Sequence, residues 1–202
     1  QAEIDASPVN TLATVTPGDL KFADVNGDGK ITPDDRTKIG DPTPDVTYGI
    51  SLGLSYKNWE LSMEMMGQGG NQIYRTWDNY NWAQFNYMEQ RLDRWHGEGT
   101  SNTQPLLNTK HAINSENSEY FIEDGSFFRT RNLQLAYSFD KTLLSKIRMQ
   151  ALKVYVNIQN LKTWKHNTGY TPEIGGSAIA FGVDNGTYPV PAVYTFGINL
   201  TF

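Results

Sequence analysis

Apolar and polar positions alternate with a period of two in five stretches of this chain. In the last eleven residues Tyr194, Phe196, Ile198, Leu200 and Phe202 take one face of a strand, and Thr195, Gly197, Asn199 and Thr201 take the other. Tyr48, Ile50, Leu52, Leu54 and Tyr56 alternate with Gly49, Ser51, Gly53 and Ser55. Trp59, Leu61, Met63 and Met65 alternate with Glu60, Ser62 and Glu64, and Lys57-Asn58 makes a tight turn between these two runs. Leu133, Leu135, Tyr137 and Phe139 oppose Asn132, Gln134, Ala136 and Ser138, and Leu152, Val154, Val156 and Ile158 oppose Lys153, Tyr155, Asn157 and Gln159. The pattern predicts strands over 48–56, 59–67, 127–139, 151–160 and 192–202. Helical periodicity is scarce, with candidates only at Asn81 to Trp95 and Lys141 to Ile147.

The connections are unequal. Residues 1–47 have no strong period and are rich in Pro, Thr, Asp and Gly, so they read as one long loop. Residues 69–125 and 161–191 are long inserts, whereas 57–58 and 140–150 are short. Short turns at one end of a sheet and long loops at the other are how outer-membrane barrels are built. Counting back from Phe202, the long loops fall outside the cell. Tyr56, Trp59, Tyr137, Phe139 and Phe202 then lie at the periplasmic boundary, where amphipathic rings suit the headgroup layer. The expected fold is all-β: antiparallel up-and-down strands forming part of a large transmembrane barrel. The competing reading is a secreted, calcium-stabilised β-sandwich that binds glycans, since sandwich strands also alternate. The small, uncharged polar face and the consistent loop asymmetry favour the barrel.

Composition narrows the classes. The chain has 202 residues, a formal net charge of -5 and no cysteine. Acidity argues against nucleic acid as a partner, and the lack of cysteine excludes disulfides and thiolate metal sites. No apolar run approaches the roughly 18 residues of a membrane-spanning helix. The mean hydropathy of -0.53 suits a soluble protein. Barrels mislead that index because their strands alternate and their loops are polar. The opening Gln1-Ala2-Glu3-Ile4-Asp5 has no signal-peptide pattern and reads as a mature end or the interior of a longer chain.

The run from Asp24 to Asp35 matches a calcium loop of the EF-hand type. Asp24, Asn26 and Asp28 stand at loop positions 1, 3 and 5, with Gly29 at the sharp turn. Lys30 offers its backbone carbonyl, Thr32 a hydroxyl or bridging water, and Asp35 the closing carboxylate. Calcium wants six to eight hard oxygens, and this spacing wraps them round one point. Asp35 replaces the usual Glu, and its shorter arm suits a weaker, structural site. A loop of Asx turns that holds itself together without metal is the alternative.

Two further groups of residues bear on chemistry. The insert aromatics Tyr74, Trp77, Tyr80 and Trp82 (with Phe85, Tyr87 and Trp95) could stack on sugar rings or peptide side chains, or pack the loop on itself. Trp164, His166 and Tyr170 in the later insert carry the same two readings. His96, His111 and His166 show no metal spacing. An enzyme is not expected. Glu60 and Glu64 share one face but lie about 13 Å apart along a strand, beyond the roughly 5–9.5 Å that glycosidases use. No nucleophile elbow or phosphate loop is present.

Several stretches resemble the C-terminal part of the SusC/RagA-type TonB-dependent outer-membrane transporters of Bacteroidetes. They are Pro17 to Phe22 leading into the Asp24 loop, Ile39-Gly40-Asp41-Pro42-Thr43-Pro44, Met66-Gly67-Gln68-Gly69-Gly70-Asn71, Glu123-Asp124-Gly125-Ser126-Phe127-Phe128-Arg129, and Val156-Asn157-Ile158-Gln159-Asn160-Leu161. The resemblance runs from about residue 17 to 202. It implies a barrel of about 22 strands with a plugged lumen, of which this chain supplies the last five strands. It further implies import of oligosaccharides or peptides, energy from the TonB complex through an N-terminal region that is absent here, and a SusD-like surface lipoprotein as lid. The remaining partners so implied are the rest of the barrel, its plug and membrane lipid.

Overall fold

The computed structural model describes residues 1–77, 86–107 and 112–202. Two compact units emerge: Gln1–Gly40 with Tyr74–Ile122, and Asp41–Ile73 with Glu123–Phe202.

The second unit is built on five long strands: β1 (Val46–Tyr56), β2 (Trp59–Gly69), β3 (Phe127–Ser138), β4 (Ala151–Lys165) and β5 (Val193–Thr201). They form one antiparallel sheet in the order β5-β4-β3-β2-β1. The order departs from no neighbour in sequence, so the sheet is an up-and-down meander. Lys57 adopts φ 52° in the β1–β2 turn, the left-handed conformation that a tight hairpin requires. Lys141–Leu144 is helical and Ser145–Ile147 continues it as a 3-10 turn, in the expected place between β3 and β4.

The register joins the five alternations into two continuous faces. Leu52 lies opposite Met63, Met63 opposite Leu133, Leu133 opposite Ile158, and Ile158 opposite Tyr194. Directly opposed residues point to the same side, so the apolar positions of all five strands share one face. Nothing in the chain covers that face among the described residues. Phe196 is 78% exposed, Ile198 65%, Tyr194 59% and Leu200 47%. A sandwich would bury these side chains against a second sheet, so the sandwich alternative fails.

Aromatic rows bound the apolar face at both ends. Trp59 and Tyr137 meet at 4.8 Å between centroids, and Tyr137 meets Phe139 edge-on at 5.0 Å. At the other end Tyr48 stacks towards Phe128 at 6.2 Å, and Phe128 on Trp164 at 5.6 Å. Eight residues separate Tyr48 from Tyr56, which at about 3.3 Å each and a 40° tilt gives a band roughly 20 Å tall. β4 runs to Lys165, past the expected limit of 160, and this places Trp164 in the sheet and not in the insert. The other strands run within three residues of the expected limits.

The first unit owes its integrity to pairing that sequence spacing could not show. The Leu106 N–H donates to Gly18 O at 2.7 Å, and the Trp95 N–H to Gln104 O at 2.9 Å. The Asn114 amide donates to Asp19 and to Leu106 O, and its oxygen accepts from the Leu20 N–H. Gly18, at φ 94°, lies flat against the Trp95 ring, where a Cβ would come within 2.3 Å. Phe121 and Ile113 are fully buried. Residues 1–40 and 74–122 therefore fold together, where the sequence suggests an N-terminal loop separate from a later insert. Of the expected Asn81 to Trp95 helix, the described part contains only a 3-10 segment at Glu89–Asp93; residues 78–85 lie outside the described residues.

Candidate functional site

The polar face of the sheet carries a built cavity. Its wall comes from β2, β3 and β4, and its far side from the insert after β4. The volume is about 760 Å³, and Glu64, Arg131, Asn132, Asn157, Gln159 and Glu173 are among its lining residues. Two register shifts shape it. One falls between Glu64 and Met65 on β2, the other between Thr130 and Asn132 on β3. Arg131 is the extra residue, and across from it Asn160 takes φ 53°. Bulges re-aim side chains, and here they bring Arg131 and Asn160 to the cavity.

The insert folds back over this face as a strap. Arg129, only 4% exposed, donates through Nε to Thr163 Oγ1 at 2.8 Å and through Nη1 to the Glu173 carboxylate. Its guanidinium also sits over the buried Phe127 ring. Asn167 donates to Thr171 O at 3.0 Å, and Lys165 Nζ donates to Asn167 O and Gly169 O. Thr168 is held by Glu123, and Asn160 Nδ2 donates to Pro191 O at 3.2 Å. Asn167, Thr171, Ile174 and Asp184 are buried. Tyr170, by contrast, is 72% exposed, and His166 is exposed. Lower on the same face Lys153 on β4 pairs with Glu60 on β2. Both flank the small, buried Ala136 of β3.

The Asp24–Asp35 loop closes on its own backbone. Asp24 Oδ1 accepts from the Gly27 and Asp28 N–H groups and Oδ2 from Gly29 at 2.8 Å. Asn26 Oδ1 accepts from Asp28, and Asp28 Oδ1 from Lys30. Thr32 caps the 3-10 turn Pro33–Asp35 in a reciprocal capping box with Asp35. Asp35 also accepts from the Val25 and Asn26 N–H groups, at 2.9 and 3.3 Å. The Thr32 N–H bond, with those from Asn26 and Val25, holds the Asp35 carboxyl below the usual carboxylate range against the opposing effect of burial. Ile31 is buried, and Lys30-Ile31 pairs in parallel with Val9-Asn10. Among the described residues no group of three acidic or histidine side chains converges on a point that could hold a metal. The donors expected for calcium are thus present, but they are turned to backbone N–H groups.

Of the insert aromatics that lie in the described residues, Tyr74, Trp77 and Trp95 are half-buried and Tyr87 is exposed. Tyr74 donates its hydroxyl to Asn117 and meets Phe121 edge-on at 6.1 Å. The buried Arg75 guanidinium lies over the Trp77, Tyr120 and Phe121 rings at 5.5–5.9 Å. Tyr74 and Trp77 are half-buried members of this cluster. Tyr80 and Trp82 lie outside the described residues.

No family model matches the chain. Individual proteins do. The chain is 33% identical over its whole length to TonB-dependent receptor P26 of Formosa agariphila, and 31% identical over 92% of its length to receptor P3 of the same organism. It is 26% identical over 90% of its length to TonB-dependent receptor SusC of Bacteroides thetaiotaomicron. Among solved structures it resembles the RagAB peptide importer in its 'closed-closed' state, at a TM-score of 0.70 and 26% identity over 92% of this chain. The 'open-open' state gives 0.69 over 86%. The chain is a barrel segment of the SusC/RagA type of TonB-dependent receptor. It spans about one fifth of the length of these relatives: 21% of P26, 19% of P3 and 17% of SusC.

In a TonB-dependent receptor the two faces acquire names. The apolar face meets lipid and the polar face lines the lumen. The sheet does not close: β1 and β5 each pair on one side only among the described residues. Unpaired strand edges are not tolerated in hydrocarbon, so these edges are where further strands of the receptor join. The motifs behind the resemblance now have physical work. Asn71 O accepts the Gly125 N–H at 2.9 Å, joining the Gly70-Asn71 and Asp124-Gly125 stretches. Asp41 exchanges bonds with Gln72, and Pro42 packs on Gly182. The sequence missed the second aromatic row and the strap. Phe128 and Trp164 sat on strand-compatible positions beside Lys165, and that alternation was the available signal.

Proposed function

We propose that this chain supplies barrel wall and extracellular loops to an outer-membrane importer of oligosaccharides or peptides. The observation that carries the reading is the uncovered apolar face with an aromatic row at each end. Lipid is the cover that such a face has in a membrane barrel. Its relatives are named as receptors and an importer, which supports a role in transport and not catalysis. In this reading the TonB complex supplies energy through a region outside this chain. A SusD-like lipoprotein covers the extracellular loops, and the remainder of the barrel and the plug complete the pore. The test is fractionation of the full-length protein. Recovery in the outer membrane, extractable only with detergent and heat-modifiable on gels, is expected; recovery in detergent-free buffer overturns the reading.

Calcium is proposed as a structural ligand of the Asp24–Asp35 loop, with Asp24, Asn26, Asp28, the Lys30 carbonyl, Thr32 and Asp35 as donors. The 1-3-5 spacing and the Gly29 turn support it. The self-bonded arrangement means that binding has to exchange several backbone N–H partners for the ion. We expect added calcium to slow hydrogen exchange at Gly27–Lys30 in the full-length receptor. The Asp24→Asn/Asp28→Asn variant should lose that response. Equal protection with and without calcium would show a loop that needs no metal.

A further inference from the structure

We propose that Lys162, with the Trp164 ring beside it, holds the phosphate headgroup of an outer-leaflet lipid against the outside of the barrel wall. The proposal rests on the importer reading, which puts the long loops outside the cell, and goes beyond it by assigning a lipid site.

The register puts a lysine where the alternation calls for an apolar residue. Across four strands one row of the apolar face reads Ile50, Met65, Thr130 and Lys162. The next row towards the long loops reads Tyr48, Gly67, Phe128 and Trp164. Lys162 is the one charged residue that the five strands place on this face. It is exposed and has no hydrogen bond or ion pair to any described residue. A lipid-facing lysine is costly at the middle of a bilayer and nearly free at its boundary. Lys162 lies two residues inside Trp164, about 7 Å along the strand and roughly 5 Å in depth. A lysine stem can lie along apolar surface for that distance and deliver its ammonium to headgroup level.

The edge of the sheet points to the same depth. β5 joins β4 only as far as Val193 opposite Gln159, so Asn160–Lys165 have no strand partner on that side. Pro189 and Pro191 precede β5 and lack the N–H groups that would continue the ladder. Unpaired backbone is not tolerated in hydrocarbon, so this stretch belongs among headgroups. The missing strand also leaves a notch in the wall beside Lys162. Trp164 stacks on Phe128 on its β3 side, no β5 residue covers its other side, and it stays 50% exposed. A cation and an amphipathic ring at headgroup depth suit a lipid with an anionic head and an acyl tail. An ammonium donates charge-assisted hydrogen bonds to phosphate, and the tail continues down the apolar row of Ile158 and Val156.

The experiment uses the full-length receptor in detergent and native mass spectrometry. The probes are monophosphoryl lipid A and the same lipid after phosphatase treatment. The wild-type receptor should bind the phosphorylated lipid more tightly than the phosphate-free one. Lys162→Gln should weaken its first binding step by about fivefold, the effect of one lysine near an anionic lipid head. Lys162→Arg should restore that step, and the phosphate-free lipid should bind all three proteins alike. Unchanged binding in a Lys162→Gln receptor that keeps its heat-modifiable band overturns the proposal. So does an equal loss with the phosphate-free lipid, which would make Lys162 a packing residue of the wall. Displacement of the lipid by excess inorganic phosphate overturns it too, since the site would then take any small anion. If Lys162→Gln gives no folded receptor, the wild-type comparison decides, and equal affinity for the two lipids refutes the site. A receptor that reaches the outer membrane without this preference sinks the proposal alone; one that never reaches that membrane sinks the importer reading.

Discussion

Single residues decide how closely the sheet packs. Gly197 on β5 pairs with Tyr155 on β4, and a Cβ at Gly197 would come within 2.1 Å of the phenol ring. The ring lies across the bare backbone and covers the two-residue gap, a device that steadies glycine in a sheet. Gly197→Val should therefore cost about 1–3 kcal/mol by overpacking. Pairing it with Tyr155→Ala should recover much of that loss. Urea unfolding of the full-length receptor would measure the coupling, and additivity of the two changes would refute the contact. Asp35 gives a pH prediction. Its folded carboxyl titrates below the ordinary range, so it stabilises its loop above the unfolded value and loses that effect as pH falls through the folded one. Acid should open Val25 and Thr32 to hydrogen exchange before the sheet responds, and Asp35→Ala should expose both at neutral pH. At this scale the loop's ligand-type residues were plain in the sequence. Their present partners were not, because backbone N–H groups and a metal ion ask for the same oxygens.

At the scale of elements the alternation in sequence carried nearly everything about the sheet. Period two fixes which residues share a face, and a one-residue slip would reverse every strand. The bulges at Arg131 and Asn160 escaped, because a local break in period looks like loss of pattern. So did the reach of β4 to Lys165, where Lys162 and Lys165 dilute the signal. Opposite faces should respond oppositely to charge. Leu52, midway between the aromatic rows on β1, faces lipid, and Leu52→Arg should cost about 2–4 kcal/mol. Ser51→Arg, one residue away on the lumenal face, should be tolerated. Folding into lipid vesicles compares them; equal penalties would contradict the assignment of faces. The strap depends on its buried anchor. Arg129→Met leaves Glu173 and Thr163 without their donor and should make 166–192 susceptible to protease in the folded receptor, while the sheet itself survives.

Across the whole molecule, the described chain is two units with different logics. The five-stranded sheet is half of its own environment: one face needs lipid and both edges need strands. Residues 1–202 expressed alone should not give a heat-modifiable, protease-resistant species in detergent, whereas the full-length receptor should. The first unit has its own buried residues, Phe121 and Ile113, and its own polar ties around Asn114. None of that joining was legible, because Asp19 and Asn114 are 95 residues apart and nothing local marks them as partners.

The sequence by itself determined the strands, their faces and the solvent each face requires. These follow from the two-residue repeat of an extended chain and from the cost of wetting large apolar side chains. Only the tertiary structure decided what long-range contacts decide: which loops fold together, how the strap turns back on Arg129, and how the bulged strands bring Arg131 and Asn160 to one cavity. Chain separation hides such contacts from any local pattern, since they depend on where the backbone returns and not on what precedes it.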